Sequence, residues 1–187
     1  MRAYLFLLAG VMVLGACASV SREECLAGDW AAIGQRDGAA GRVGDTQFNR
    51  HVTACAKVDV TPDRSAWGAG YAAGLGQYCT AATGLREGEA GRIYHNVCPA
   101  ASAPAFLRGH DLGLAAYRQR QRIAEIQREI STVLSANSAL SRQTDEAAQR
   151  QWQSNQSELL ALRLDMSLAQ AELGRIEREI RAFRVAL

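Results

Sequence analysis

The stretch AWGAGYAAGLGQYC, residues 66–79, decides how the first part of this 187-residue chain folds. It sets four glycines among alanines and aromatics and ends on a cysteine. Gly70 and Gly74 stand four apart, so in a helix they lie one turn from each other on the same face. There they leave a flat strip to which another backbone can come close. In water each helical glycine costs about 0.5–1 kcal/mol relative to alanine, so such a helix must recover that cost through packing. Trp67, Tyr71 and Tyr78 supply the packing area. The rival reading is a phosphate-binding glycine loop, which needs an apolar strand ahead of it and a βαβ unit. Thr61-Pro62-Asp63-Arg64-Ser65 precedes this segment instead, so the segment is read as a close-packing helix.

Three more pairs of the same kind follow outward from it: GQRDG at 34–38, GLREG at 84–88 and GHDLG at 109–113. Each has an aromatic nearby, namely Trp30, then Tyr94, then Phe106 with Tyr117. Trp30, Gly34, Gly38, Gly70, Gly74, Gly84, Gly88, Gly109 and Gly113 are therefore the expected helix-packing positions. The pairs are irregularly spaced, which excludes a solenoid. The pattern predicts helices over 22–41, from Thr46 as cap to residue 57, from Asp63 or Ser65 to residue 79, over 88–97, and from Phe106 onward. No run of alternating β-branched residues occurs, so the class is all-α.

The start of the chain points to export. A basic Met1-Arg2 is followed by an apolar run over 3–14, too short to cross a bilayer, which takes about 20 apolar residues. Leu14-Gly15-Ala16-Cys17 then reads as a lipobox. In this reading residues 1–16 are a signal peptide, and Cys17 is freed by cleavage after Ala16 and modified with acyl chains such as palmitate. Ala18 stands where an inner-membrane retention signal would place Asp, so the expected location is the periplasmic face of the outer membrane, held by lipid. Four cysteines remain in an oxidising compartment: Cys25, Cys55, Cys79 and Cys98. They allow three pairings, of which an antiparallel first hairpin favours Cys25–Cys55 with Cys79–Cys98.

The order Cys25, Asp29-Trp30, Gly34, Asp37-Gly38, Gly41, Cys55, Gly70-Tyr71, Gly74-Leu75, Tyr78-Cys79, Gly84, Gly88, Gly91, Tyr94, Val97-Cys98 and Gly109 resembles a family of Gram-negative lipoproteins classed as a domain of unknown function. The resemblance covers roughly residues 25–117. It implies an exported, lipidated module and names no reaction.

Composition changes near residue 114, beyond which there is one glycine, Gly174, and neither proline nor cysteine. Ile123, Ile126, Ile130, Val133, Asn137, Leu140, Thr144 and Ala147 alternate three and four apart. So do Leu159, Leu162, Met166, Ala169, Leu173, Ile176, Ile180 and Phe183. This is the a/d stripe of a coiled coil, and its two halves are out of phase across 144–158. A break near 138–144, with Thr144 as cap, gives an antiparallel hairpin; a second copy gives a parallel coiled coil about 110 Å long. The hairpin is favoured. The organisation expected is thus a leader at 1–16, a disulfide-stapled helical head at 17–117 and a coiled-coil arm at 118–187.

With 21 basic and 19 acidic residues the charge balance excludes a nucleic-acid footprint. His51, His95 and His110 read as isolated, and no CxxC pair marks a metal site. No catalytic residues, metal or cofactor are expected. Two function classes remain. The favoured one is a non-enzymatic envelope lipoprotein whose arm binds a second copy, peptidoglycan or an envelope protein. The other is a head that binds a cell-wall fragment or small ligand, enzymatic or not, with Asp37 or Asp111 lining a cleft.

Overall fold

A computed structural model describes residues 19–143 and 145–187; the leader, Cys17 and Thr144 lie outside the described residues. The described residues form helices and no strand: α1 Arg22–Ala27, α2 Trp30–Ala39, α3 Gly44–Cys55, a 3₁₀ turn Ala56–Val58, α4 Arg64–Tyr78, α5 Ala81–Glu89, α6 Ala103–Leu140 and α7 Glu146–Val185.

Several boundaries differ from the sequence expectation for local reasons. The single helix expected over 22–41 is two, because Gly28 adopts a left-handed φ of 69° and closes α1. Asp29 then caps α2 by accepting from the Ala32 amide at 3.1 Å. Thr46 does not cap α3, which begins at Gly44 behind an uncapped Val43. The helix expected over 88–97 lies earlier, at Ala81–Glu89, where Thr80 accepts from the Thr83 amide at 3.1 Å. Residues 90–98 are loop. Asp63 caps α4, accepting from the Ser65 and Ala66 amides.

The head is built twice from one plan. AAIGQRDGAAGR, residues 31–42, in α2 and its exit matches AATGLREGEAGR, residues 81–92, in α5 and its exit. Both end in the same turn: Arg42 N donates to Asp37 O at 3.1 Å and Arg92 N to Glu87 O at 3.0 Å, with Gly41 and Gly91 at φ 64° and 69°. This is a Schellman end, and its left-handed residue favours glycine. α4 pairs with α2, and the first part of α6 pairs with α5.

The glycines make both pairings possible. A Cβ on Gly34 would stand 2.9 Å from the Trp67 carbonyl carbon, and one on Gly84 the same distance from that of Phe106. Gly38 faces Tyr71 and Leu75, as Gly88 faces His110 and Leu114; Gly70 faces Ala31, as Gly109 faces Ala81; Gly74 faces Gln35 and Ala39, as Gly113 faces Leu85 and Glu89. The rings correspond too. Trp67 stacks on Tyr71 at 4.8 Å and 17°, and Phe106 on His110 at 6.0 Å and 16°. Trp30 is buried in the first core with Ile33, Phe48 and Trp67.

Each copy is stapled at the same place. Cys25 lies just ahead of α2 and bonds to Cys55 in the segment between α2 and α4; Cys79 lies just ahead of α5 and bonds to Cys98 in the segment between α5 and α6. The bonds close loops of 30 and 19 residues. By restricting the unfolded chain they contribute about 3–4 and about 3 kcal/mol. Replacing either pair by alanine is expected to lower stability by these amounts in urea unfolding of the oxidised protein, with the larger loss for Cys25–Cys55.

α6 spans 38 residues and runs through residue 117 without a break, so head and arm share a helix. The chain turns beyond Leu140, Asp145 caps α7 through the Ala148 amide at 3.0 Å, and α7 returns antiparallel. The cap is Asp145 rather than Thr144, and the buried residue of the first turn is Ala148, not Ala147. Ile126, Val133, Leu159, Leu162 and Ala169 form the arm core, with Ile123, Ile130 and Met166 packed against it. Asn137 meets Asn155 across the hairpin, Asn155 Nδ2 donating to Asn137 Oδ1 at 2.8 Å, which fixes register as buried asparagines do. The returning end of α7 closes on the head: Ile176 and Ile180 pack with Leu85 and Ala116, Leu173 lies against them, and Arg184 donates to Glu89 at 2.9 Å.

Candidate functional site

Duplication makes the difference between the copies informative. Each carries one acid at the same place in its first helix, Asp37 or Glu87. In the second copy Glu87 is met by Arg92 in a two-pronged pair, Nε to Oε2 at 2.7 Å and Nη2 to Oε1 at 3.1 Å. In the first copy the shorter Asp37 points inward and is 2 % exposed. Its Oδ2 accepts from Trp67 Nε1 at 3.0 Å and from His51 Nε2 at 2.7 Å. The corresponding Arg42 stands off, with Nε 3.7 Å from Oδ1.

His51 is fully buried on the inner face of α3, and its other nitrogen, Nδ1, lies 2.9 Å from Ser19 Oγ. With Asp37 ionised, His51 donates to it from Nε2, and Nδ1 meets the Ser19 hydroxyl. Burial opposes the Asp37 charge. The hydrogen bonds from His51 and Trp67 and the charges of His51 and Arg42 outweigh it, holding the carboxyl below its ordinary range. His51 is therefore not isolated, as the sequence suggested. His110 is also buried but serves the backbone: its Nε2 donates to Arg92 O at 2.8 Å, as Tyr71 Oη donates to Arg42 O in the first copy. His95 is exposed.

Outside this cluster Ser19 opens onto a groove of ≈ 930 Å³, lined by Ser19, Arg42, Thr46, Asn49, Arg50 and Lys57 among others. Asp111 is exposed and lines no cleft with Asp37. Among the described residues no group of three or more His, Cys, Asp or Glu side chains is placed to hold a metal ion, and no helix is long and apolar enough to cross a membrane.

A family model described as a protein of unknown function, DUF2799, matches residues 29–122, half of the chain. The chain belongs to this family. The matched span begins at the cap of α2 and ends in α6, so it takes in the doubled glycine seam and both acids; the rest of the arm lies beyond it. No curated protein and no solved structure matches the chain.

Sequence reasoning missed His51 and Ser19 because their role depends on where α3 and the entering chain cross α2. Asp37 was singled out without its partners. A usable signal was present in the 31–42 and 81–92 match, which marks Asp37 and Glu87 as equivalent.

Proposed function

We propose that the protein is a lipid-anchored, non-enzymatic lipoprotein of a Gram-negative envelope, held by acylated Cys17 at the periplasmic face of the outer membrane, with an interaction surface on its arm. The observation that carries the interaction role is on α7. The heptad faces of α6 and α7 are consumed by each other, yet Leu160, Leu164 and Leu168 form an outward ridge, 71 %, 60 % and 60 % exposed. Three leucines at i, i+4 and i+8 make the kind of ridge that another helix takes in its groove. The partner is an envelope protein or a second copy.

Photo-cross-linkers at 164 and 168 in intact cells are expected to give a discrete adduct that is absent from Gln127 on α6. The adduct is lost on Leu160→Glu. Its mass tells a second copy from another protein, and no adduct at either position overturns the role. A mature N-terminal peptide bearing acyl mass on Cys17 tests the anchor.

A second reading has a specific support, the run Ser19–His51–Asp37. A hydroxyl on an imidazole backed by a carboxylate is the arrangement of acyl-transfer catalysis. This run would serve a head that binds and turns over a cell-wall fragment. It ranks lower because His51 is wholly enclosed and the Ser19 bond already holds the entering chain on the head.

A further inference from the structure

We propose that the groove bordered by Ser19, Arg42, Arg50 and Lys57 takes the phosphate of an anionic phospholipid headgroup in the membrane that carries the anchor. This rests on the reading that Cys17 is acylated.

Position is the first support. Ser19 lies two residues after Cys17, so at 3.3–3.6 Å per residue the anchor point is within about 7 Å of the groove wall. From Ser19 onward the chain is fixed on the head: Val20 is buried in its core and Ser19 is bonded to His51. Acyl chains entering the bilayer at Cys17 therefore hold this face at headgroup level.

Charge is the second. Arg42, Arg50 and Lys57 are exposed, and Thr46, Arg50, Thr53 and Lys57 follow one another along the outer side of α3 and the turn after it. The neighbouring carboxylates are engaged elsewhere, Asp45 by Arg64 at 2.6 Å and Glu24 by Arg36 at 2.7 Å. The comparison of copies is the third and independent support. Where Arg92 makes two hydrogen bonds to its acid, Arg42 makes none and pairs with Asp37 Oδ1 only at 3.7 Å. The first copy thus leaves guanidinium N–H groups for an outside anion, flanked by the hydroxyls and amide of Thr46, Thr53 and Asn49.

Lys57 is the only lysine in the chain, so a single amine reports on the groove. The full-length protein, purified from membranes, is reconstituted in phosphatidylcholine vesicles with or without phosphatidylglycerol at about one lipid in three. Acylation of Lys57 by an N-hydroxysuccinimide ester is followed by mass spectrometry, and the mass of the Cys17 peptide is read in the same samples. Phosphatidylglycerol is expected to slow Lys57 modification about tenfold, with recovery at about 0.5 M salt. Arg42→Gln with Arg50→Gln keeps Lys57 in the same surface potential and is expected to lose the protection while retaining helicity. Equal rates in the two vesicles overturn the proposal. So does undiminished protection in the double variant, which means surface potential alone, or equal protection by inorganic phosphate in neutral vesicles, which means a free-anion site. An unmodified Cys17 overturns both the anchor and the groove; acylated Cys17 with equal rates overturns the groove only.

Discussion

Gly70→Ala lowers the stability of the head by about 3 kcal/mol, whereas Gly76→Ala on the same helix raises it by about 0.5–1 kcal/mol. The two positions differ only in what lies opposite. A Cβ at Gly76 meets nothing within 4 Å, so alanine brings its better helix propensity at no cost. A Cβ at Gly70 falls on the Ala31 carbonyl, with its carbon at 2.8 Å. That neighbour is the backbone of α2 and cannot turn aside as a side chain can. The helices must separate, and separation also loosens the fits at Gly34, Gly38 and Gly74, which lie in the same α2–α4 contact. The loss exceeds the propensity gain several-fold. Gly84→Ala behaves like Gly70→Ala, because its Cβ meets the Phe106 carbonyl in the second copy. Denaturant midpoints measure all three, with an unchanged slope marking a pure stability effect. Stabilisation by Gly70→Ala would mean that α2 and α4 are not in backbone contact.

Much of this seam is legible in the residues. A glycine pair four apart beside an aromatic announces close helix packing, and all four pairs lie on such contacts. The partnership of the pairs is not legible from spacing. Gly34 and Gly70 are 36 residues apart because α3 and its staple intervene, whereas Gly84 and Gly109 are 25 apart across a loop. Unequal insertions hide an equal plan. The same effect misplaced α5: Gly88 resembles a helix start, yet it is an interior position pressed on His110, and the true stop is Gly91. The arm was easier, since its heptads are local. Only the phase slip across 144–158 hinted at the turn, and a residue count cannot say whether a slip bends a helix or merely rotates its face. For the polar cluster, Ser19, Asp37 and His51 come together from three separate segments. Nothing in their spacing reports how α3 crosses α2.

His51→Ala is expected to cost about 3–5 kcal/mol at neutral pH, the range for removing one member of a buried ionic pair. The imidazole is wholly enclosed and joins Asp37 to Ser19, so its loss leaves a cavity, a carboxylate with Trp67 as its one hydrogen-bond donor, and a free entering chain. The pH dependence separates these effects. In the native protein Asp37 titrates below its ordinary value, so its ionised form stabilises the fold. That contribution is fully present above the unfolded pKa of about 3.9 and is lost as pH falls through the lowered folded value. Without His51, burial is opposed only by Trp67 and Arg42, and the carboxyl rises. The penalty of the variant must therefore shrink in acid, where a protonated Asp37 needs no cation, leaving the cavity cost alone. Unfolding midpoints of both proteins between about pH 3 and pH 7 test this, and a penalty independent of pH would show that the imidazole acts by volume only. Amide exchange at Ser19 and Val20 reads the remaining part, which should speed in the variant because the chain leading from Cys17 is no longer pinned. Asp37→Asn divides the two readings of the cluster: a catalytic relay loses turnover with the entering chain still held, whereas a latch loses stability and frees Ser19 together.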